Sequence, residues 1–191
     1  MTLARVRRAL AKYAAQEIEA PEARPAAVAL ILVEQSRGLE ALFIKRATRA
    51  GDPWSGQVAF PGGRYDPTDA DMLATAIRET REETGVELAT AERLGVLDDL
   101  YPRASTLPPV LVRPFVFALP GRRPLIASSE VERAFWVPLS SFEQPGVRRE
   151  VRLVLQWGER VFPAYHLGED VIWGMTERIL TPFLALIDLA S

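Results

Sequence analysis

Cysteine is absent from this 191-residue chain and histidine occurs once, at His166. No disulfide framework, thiolate zinc site or cysteine nucleophile is therefore available, and one imidazole leaves little for a histidine zinc site or a Ser-His-Asp triad. A strong charge of one sign is missing as well, the formal net charge being −2 and the pI about 5.6. Without a global positive field, neither nucleic acid nor an anionic membrane surface is an expected partner. Long hydrophobic runs are lacking too. The longest, Ala26 to Val33, is too short to cross a bilayer, and MTLARVRRALAKYAAQEIE has no apolar core of the length a signal peptide needs. A cytoplasmic location is the expectation, and the chemistry left to the chain is that of carboxylate oxygens and a hard cation.

What is present suits one globular domain: 48% of residues are hydrophobic and 25% charged. Residues 1–25 read as an N-terminal amphipathic helix and linker, with Leu3, Val6, Leu10 and Tyr13 at helical spacing over 2–17 and a proline-punctuated stretch after it. Residues 26–191 read as the main domain. AAVALILVE (26–34) and LEALFIKR (39–46) predict a hairpin around Ser36-Arg37-Gly38, and QVAF (57–60) predicts a strand running into Pro61-Gly62-Gly63. A helix is expected from Asp71 to Thr84, stopped by Gly85. Further strands are expected at 92–98, 110–119, 132–139 and in 151–165. WGMTERILTPFLALIDL reads as a closing helix with Pro182 as a kink or restart. Strands dominate without regular βαβ alternation, so the fold class is α+β or an α/β/α sandwich.

The stretch Arg-Glu-Thr-Arg-Glu-Glu-Thr-Gly, residues 78–85, poses the functional question. Residues three and four apart share a helix face, so Glu79 neighbours both Glu82 and Glu83. Like charges at that spacing cost an isolated helix about 0.2–0.5 kcal/mol per pair. Either Arg78 and Arg81 neutralise a solvated face, or a magnesium or manganese ion does so from the other side. A strand and a glycine turn precede the helix, an arrangement that lays backbone groups where a phosphate can bind. The five fixed positions of Arg-Glu-x-x-Glu-Glu-x-Gly would recur by chance in such a chain with a probability on the order of 10⁻⁴.

These residues resemble the signature of the Nudix hydrolases, G-x5-E-x7-R-E-U-x-E-E-x-G-U with U aliphatic. Gly63 corresponds to its first glycine, Arg78-Glu79 to its Arg-Glu, Glu82-Glu83 to its paired glutamates, and Gly85-Val86 to its end. The chain has one residue more between Gly63 and Arg78. Asp69 is the nearest equivalent of the loop glutamate, which suggests that it pairs with Arg78, and Thr80 stands where an aliphatic residue is usual. The resemblance implies a Nudix fold, an α/β/α sandwich with a mixed central sheet, and hydrolysis of a nucleoside diphosphate linked to a further group. Glu79, Glu82 and Glu83, with a backbone carbonyl near Gly63, would hold one to three Mg²⁺ or Mn²⁺ ions that lower the pKa of the attacking water. A box glutamate or an acid on a distant loop would serve as general base, and Glu130 in SSEVERAFWVPL is the candidate outside the box, with Glu132 behind it. The sequence does not set the oligomeric state, and a homodimer is compatible with it.

Substrate choice lies outside this box. SGQVAFPGG (55–63), the loop DPTDAD (66–71) and VIWGMT (171–176) together are similar to the coenzyme A pyrophosphatase subgroup, over roughly residues 26–185. The implied reaction cleaves coenzyme A or acyl-coenzyme A to 3′,5′-ADP and 4′-phosphopantetheine or its acyl derivative. The adenosine 3′-phosphate calls for positive charge beyond the metals, and Arg46, Arg49, Arg64 and Arg103 are the candidates. Trp54 and Trp173 are candidates for adenine stacking or, more simply, for a core or lid role, and His166 reads as structural. The alternatives are a Nudix enzyme for another substrate of this kind, such as ADP-ribose, NADH or a dinucleoside polyphosphate, and a nucleotide-binding module without catalysis. A pure binding module has no need to keep three like charges on one face.

Overall fold

The computed structural model describes residues 1–49, 55–102, 109–155 and 158–189. Its helices are α1 (Leu3–Leu10), α2 (Met72–Thr84) and α3 (Met175–Leu189). The strands are β1 (Arg24–Gln35), β2 (Gly38–Arg46), β3 (Val58–Ala59), β4 (Gly62–Arg64), β5 (Glu92–Val96), β6 (Val110–Leu119), β7 (Val131–Pro138), β8 (Arg148–Leu155), β9 (Gly158–Leu167) and β10 (Asp170–Trp173).

Among the described residues the main sheet has seven strands, with the path β3-β2-β1-β6-β5 and with β4 and β7 attached to β1 and β2. β1 lies parallel to β6 from Arg24 to Val33, whereas its other edge is divided between two antiparallel partners. Leu32 to Gln35 pair with β2, and Ala26 to Val28 pair with β4. The fork delivers α2: Ala29 N–H donates to Pro61 O (2.8 Å), and Gly62, with φ +153, carries the chain off the sheet towards the helix. The expected glycine turn is thus in part a short strand.

Buried β1 side chains point alternately to two apolar clusters, so each face of the sheet needs cover. Ala27, Ala29, Ile31 and Val33 pack with Ala76 on α2 and with Val86, and Ala26, Leu30 and Leu32 pack with Val6 of α1 and Leu180 and Phe183 of α3. The result is the expected α/β/α sandwich with a mixed sheet. A second, antiparallel sheet of β8, β9 and β10 stands beside it and carries His166 in β9. β10 is a strand where the sequence led directly into the last helix. Gly174, with φ +68, makes the turn between the two, and α3 runs on through Pro182.

The first helix is shorter than its apolar spacing suggested. It stops at Leu10 and passes through a turn in which Tyr13 N–H donates to Leu10 O (3.1 Å), after which the backbone finds distant partners: Gln16 N–H donates to Asp98 (2.8 Å) and Ile18 N–H to Asp99 (3.0 Å). Asp99 is itself clamped by Arg113 through two hydrogen bonds of 2.8 Å, which ties the segment to β6. Leu3, Val6 and Leu10 sit in the main apolar cluster, so α1 packs as part of the sandwich. No described helix is long and apolar enough to cross a membrane.

Candidate active site

Helix α2 begins at Asp71, whose side chain accepts Ala74 N–H at 2.8 Å, and ends at Gly85 with φ +69, whose N–H donates to Arg81 O (2.8 Å). Thr80, in the position where an aliphatic residue was expected, is fully buried, and its hydroxyl donates to Ala76 O at 2.7 Å. That bond lets a polar side chain face the core without an unmet donor.

Asp69 holds Arg78 with both oxygens, accepting Nε and Nη2 at 2.9 Å each, and also accepts Thr75 Oγ1 at 2.8 Å. The hydrogen bonds from Arg78 are the main reason that its carboxyl titrates well below the usual carboxylate range. Arg78 in turn reaches Glu79 (2.9 Å) and Glu82 (3.1 Å) through Nη1. The guanidinium is therefore a brace behind the acidic face and not a surface charge, and aspartate does the work of the glutamate usual in that loop.

Glu83 points inward. It is 4% exposed, accepts Gly62 N–H at 2.9 Å, and burial pushes its carboxyl up to about 8. Burial also raises Glu79, against the opposing pull of Arg78. Gly63 lies against Glu79 so closely that a Cβ there would stand 2.5 Å from the carboxyl. Glu82 is the outlier, half-exposed and turned to Arg78. As the side chains lie, no three acidic or histidine residues among the described residues stand together with metal-ligating spacing. The convergence expected of all three glutamates is incomplete because Arg78 draws two of them to itself. Even so the donors fit a hard dication: a buried carboxyl, Glu83, and a half-buried one, Glu79, both raised by burial, are groups whose charge a cation would compensate.

A cleft of about 470 Å³ opens over these residues, within the range of small-molecule sites. Arg46, Gly63, Arg64, Glu79, Glu83 and Glu130 all line it. The Arg46 charge acts to lower Glu83, against its burial. Arg64 also braces the site through its carbonyl, which accepts Arg78 Nη2 at 3.3 Å. Glu130 is ion-paired with Arg49 (3.0 Å), so Arg49 is engaged with an acid and does not itself border the cleft. The Glu130 segment is pinned to the end of α2: Ile126 N–H donates to Thr84 O (2.8 Å) and Ser128 N–H to Glu83 O (3.3 Å). Glu132 instead pairs with Lys45 at 3.1 Å. Trp173 packs on Phe162, ring centroids 5.1 Å apart, and is not part of the cleft lining. Arg103 and Trp54 lie outside the described residues.

Sequence reasoning missed the other lining residues, among them Gln57, Val110, Val112, Met175 and Ile179. Gln57 and Met175 lie inside runs already singled out, but aliphatic lining on β6 and α3 looks the same in sequence as ordinary core.

Three comparisons bear on this geometry. A family model described as the NUDIX domain matches residues 23–158, which span the main sheet and α2. The chain is 34% identical over 187 residues to the mouse mitochondrial coenzyme A diphosphatase NUDT8, covering 96% of this chain and 86% of that protein. The human protein of the same name is 34% identical over 165 residues, covering 84% of this chain and 69% of its own length. Among solved structures, a MutT/nudix family protein from Enterococcus faecalis superposes with a TM-score of 0.60 at 23% identity, covering 90% of this chain and 64% of that one. A NUDIX hydrolase from Alicyclobacillus acidocaldarius gives 0.55 at 19% identity, covering 88% and 93%. Fold, carboxylate helix and relatives agree: the chain belongs to the Nudix family and is a pyrophosphohydrolase.

Proposed function

We propose that the chain hydrolyses the pyrophosphate bond of coenzyme A or acyl-coenzyme A, giving 3′,5′-ADP and 4′-phosphopantetheine or its acyl derivative. One observation carries the reading: the two runs outside the box, Gly56 to Gly62 and Trp173 to Thr176, both supply lining to the cleft that Glu79 and Glu83 enter. The kinship with two coenzyme A diphosphatases supports the same substrate.

Hydrolases of this family use divalent cations, and Mg²⁺ or Mn²⁺ is the cation proposed here. Glu79, Glu82 and Glu83, with the carbonyl near Gly63, would hold it, Glu82 by turning from Arg78. When bound it offsets pyrophosphate charge and acidifies the attacking water. The protein's own part is largely placement, as in phosphoryl transfer generally. Asp69 and Arg78 fix the acidic face, and the Gly62 N–H orients Glu83. Arg46 and Arg64 offer charge to substrate phosphates, the adenosine 3′-phosphate included. Glu130 takes the proton of the attacking water, whose oxygen bonds to phosphorus as the bridging P–O bond breaks.

The test is product identification with coenzyme A, dephospho-coenzyme A and ADP-ribose as parallel substrates. The reading requires coenzyme A to be preferred and 3′,5′-ADP to appear.

A further inference from the structure

The cleft lining is divided by chemistry. Every charged residue bordering it belongs to α2, to β4, to the end of β2 or to the Glu130 segment. The lining from β1, β6 and α3 is aliphatic: Ala26, Val28, Val110, Val112, Met175 and Ile179, with one hydroxyl, Thr176. Several of these side chains remain partly open, Val28, Val110 and Met175 being half-buried. Apolar surface kept at a hydrolytic cleft and not closed into the core marks where a ligand's apolar part lies. The Trp173-Gly174-Met175-Thr176 run explains how the wall is made. Trp173 anchors β10 on Phe162, Gly174 turns with φ +68, and the first turn of α3 then presents Met175 and Thr176 to the cleft.

A second nucleotide or a free ribose, as in a dinucleoside polyphosphate or ADP-ribose, would bring hydroxyls and charge against this wall and leave them with almost no partners. The acyl chain, the geminal methyls and the methylenes of an uncharged acyl-pantetheine arm lose nothing there, and only its hydroxyl and two amides need partners elsewhere. We propose that Val110, Val112, Met175 and Ile179 form the subsite for the non-nucleotide arm of the substrate, an acyl-pantetheine chain, and that acyl length is read along it. This rests on the coenzyme A reading above and adds to it which residues set the preference.

The experiment compares kcat/KM for hexanoyl-coenzyme A and free coenzyme A in the wild type, in Met175→Asp and Val110→Asp, and in the conservative Met175→Leu. A buried methylene is worth about fourfold in affinity. The wild type should therefore favour the hexanoyl thioester by at least roughly tenfold if even two methylenes are buried. Either aspartate variant should bring that ratio close to one, chiefly through KM, and Met175→Leu should keep it. The ratio reads the subsite, since a general loss of structure lowers both substrates together. A wild-type ratio near one, or a ratio unchanged in both aspartate variants, overturns the subsite while coenzyme A hydrolysis stands. Absence of coenzyme A hydrolysis with either metal overturns both.

Discussion

Gly63 and Glu79 are packed so that the site of a missing Cβ lies 2.5 Å from the Glu79 carboxyl carbon and one of its oxygens. The glycine is thus demanded by the neighbouring Glu79 carboxyl and not by its backbone angles, since its φ falls outside the positive range that marks Gly62. Gly63→Ala must push Glu79 aside. The expected outcome is a folded protein with a thermal midpoint within a few degrees of the parent, weakened Mg²⁺ affinity, and kcat/KM lower by about 10²-fold, the order that misplaced catalytic groups cost. Metal titration by calorimetry, alongside kinetics, checks it.

Glu83→Gln keeps the shape and the acceptor for Gly62 N–H but removes the charge offered to a cation. Turnover should fall by about 10³-fold or more, equivalent to roughly 4 kcal/mol of transition-state stabilisation. Circular dichroism should remain that of the parent. Unchanged kcat would remove the metal mechanism.

Asp69 supplies the pH dependence. Its folded-state pKa is depressed from 3.8, mainly by the hydrogen bonds from Arg78, so its contribution to stability is present above about pH 4 and is lost as the pH falls below that value towards the depressed one. Asp69→Asn should destabilise the protein by about 1–3 kcal/mol at pH 7, since Arg78 loses a bidentate partner, and by progressively less as the pH drops below 4. Urea unfolding at pH 7 and pH 3 measures the difference. Activity at pH 7 should fall by about 10–100-fold, the usual cost of removing a hydrogen-bonded support behind a metal ligand.

Glu130 stands in the cleft with its carboxylate paired to an exposed arginine, an ion pair worth about 0–1 kcal/mol. Glu130→Gln should therefore leave stability within about 1 kcal/mol of the parent while lowering kcat by about 10²–10⁴-fold with little change in KM. A kcat within twofold of the parent would return the role of base to a box glutamate.

Much of this was legible in advance for a simple reason: the information was local. The β1–β2 hairpin follows from two apolar runs around a tight turn, and α2 from its periodicity between Asp71 and Gly85. The Asp69–Arg78 brace was accessible because both partners sit in one contiguous motif. What escaped depended on distant partners. The apolar spacing runs on beyond Leu10, yet Asp98 and Asp99 on a remote loop claim the N–H groups of Gln16 and Ile18. β10 is a strand because β9 offers it an edge, as in the pairing of Ile172 with Tyr165. Arg49 was one of four candidate arginines in sequence, and its ion pair with Glu130 could be seen only in the fold. Val110 falls in an expected strand and Met175 in a run already singled out, but only the fold sets both along one cleft with the carboxylates.

The central claim is that the carboxylates of α2 serve a bond in coenzyme A. The most direct measurement incubates the purified chain with coenzyme A and Mg²⁺ or Mn²⁺, identifies products by mass, and compares kcat/KM with that for dephospho-coenzyme A and ADP-ribose. The account predicts metal-dependent release of 3′,5′-ADP and 4′-phosphopantetheine at a rate above both competitors. Equal or faster cleavage of dephospho-coenzyme A or ADP-ribose would contradict it.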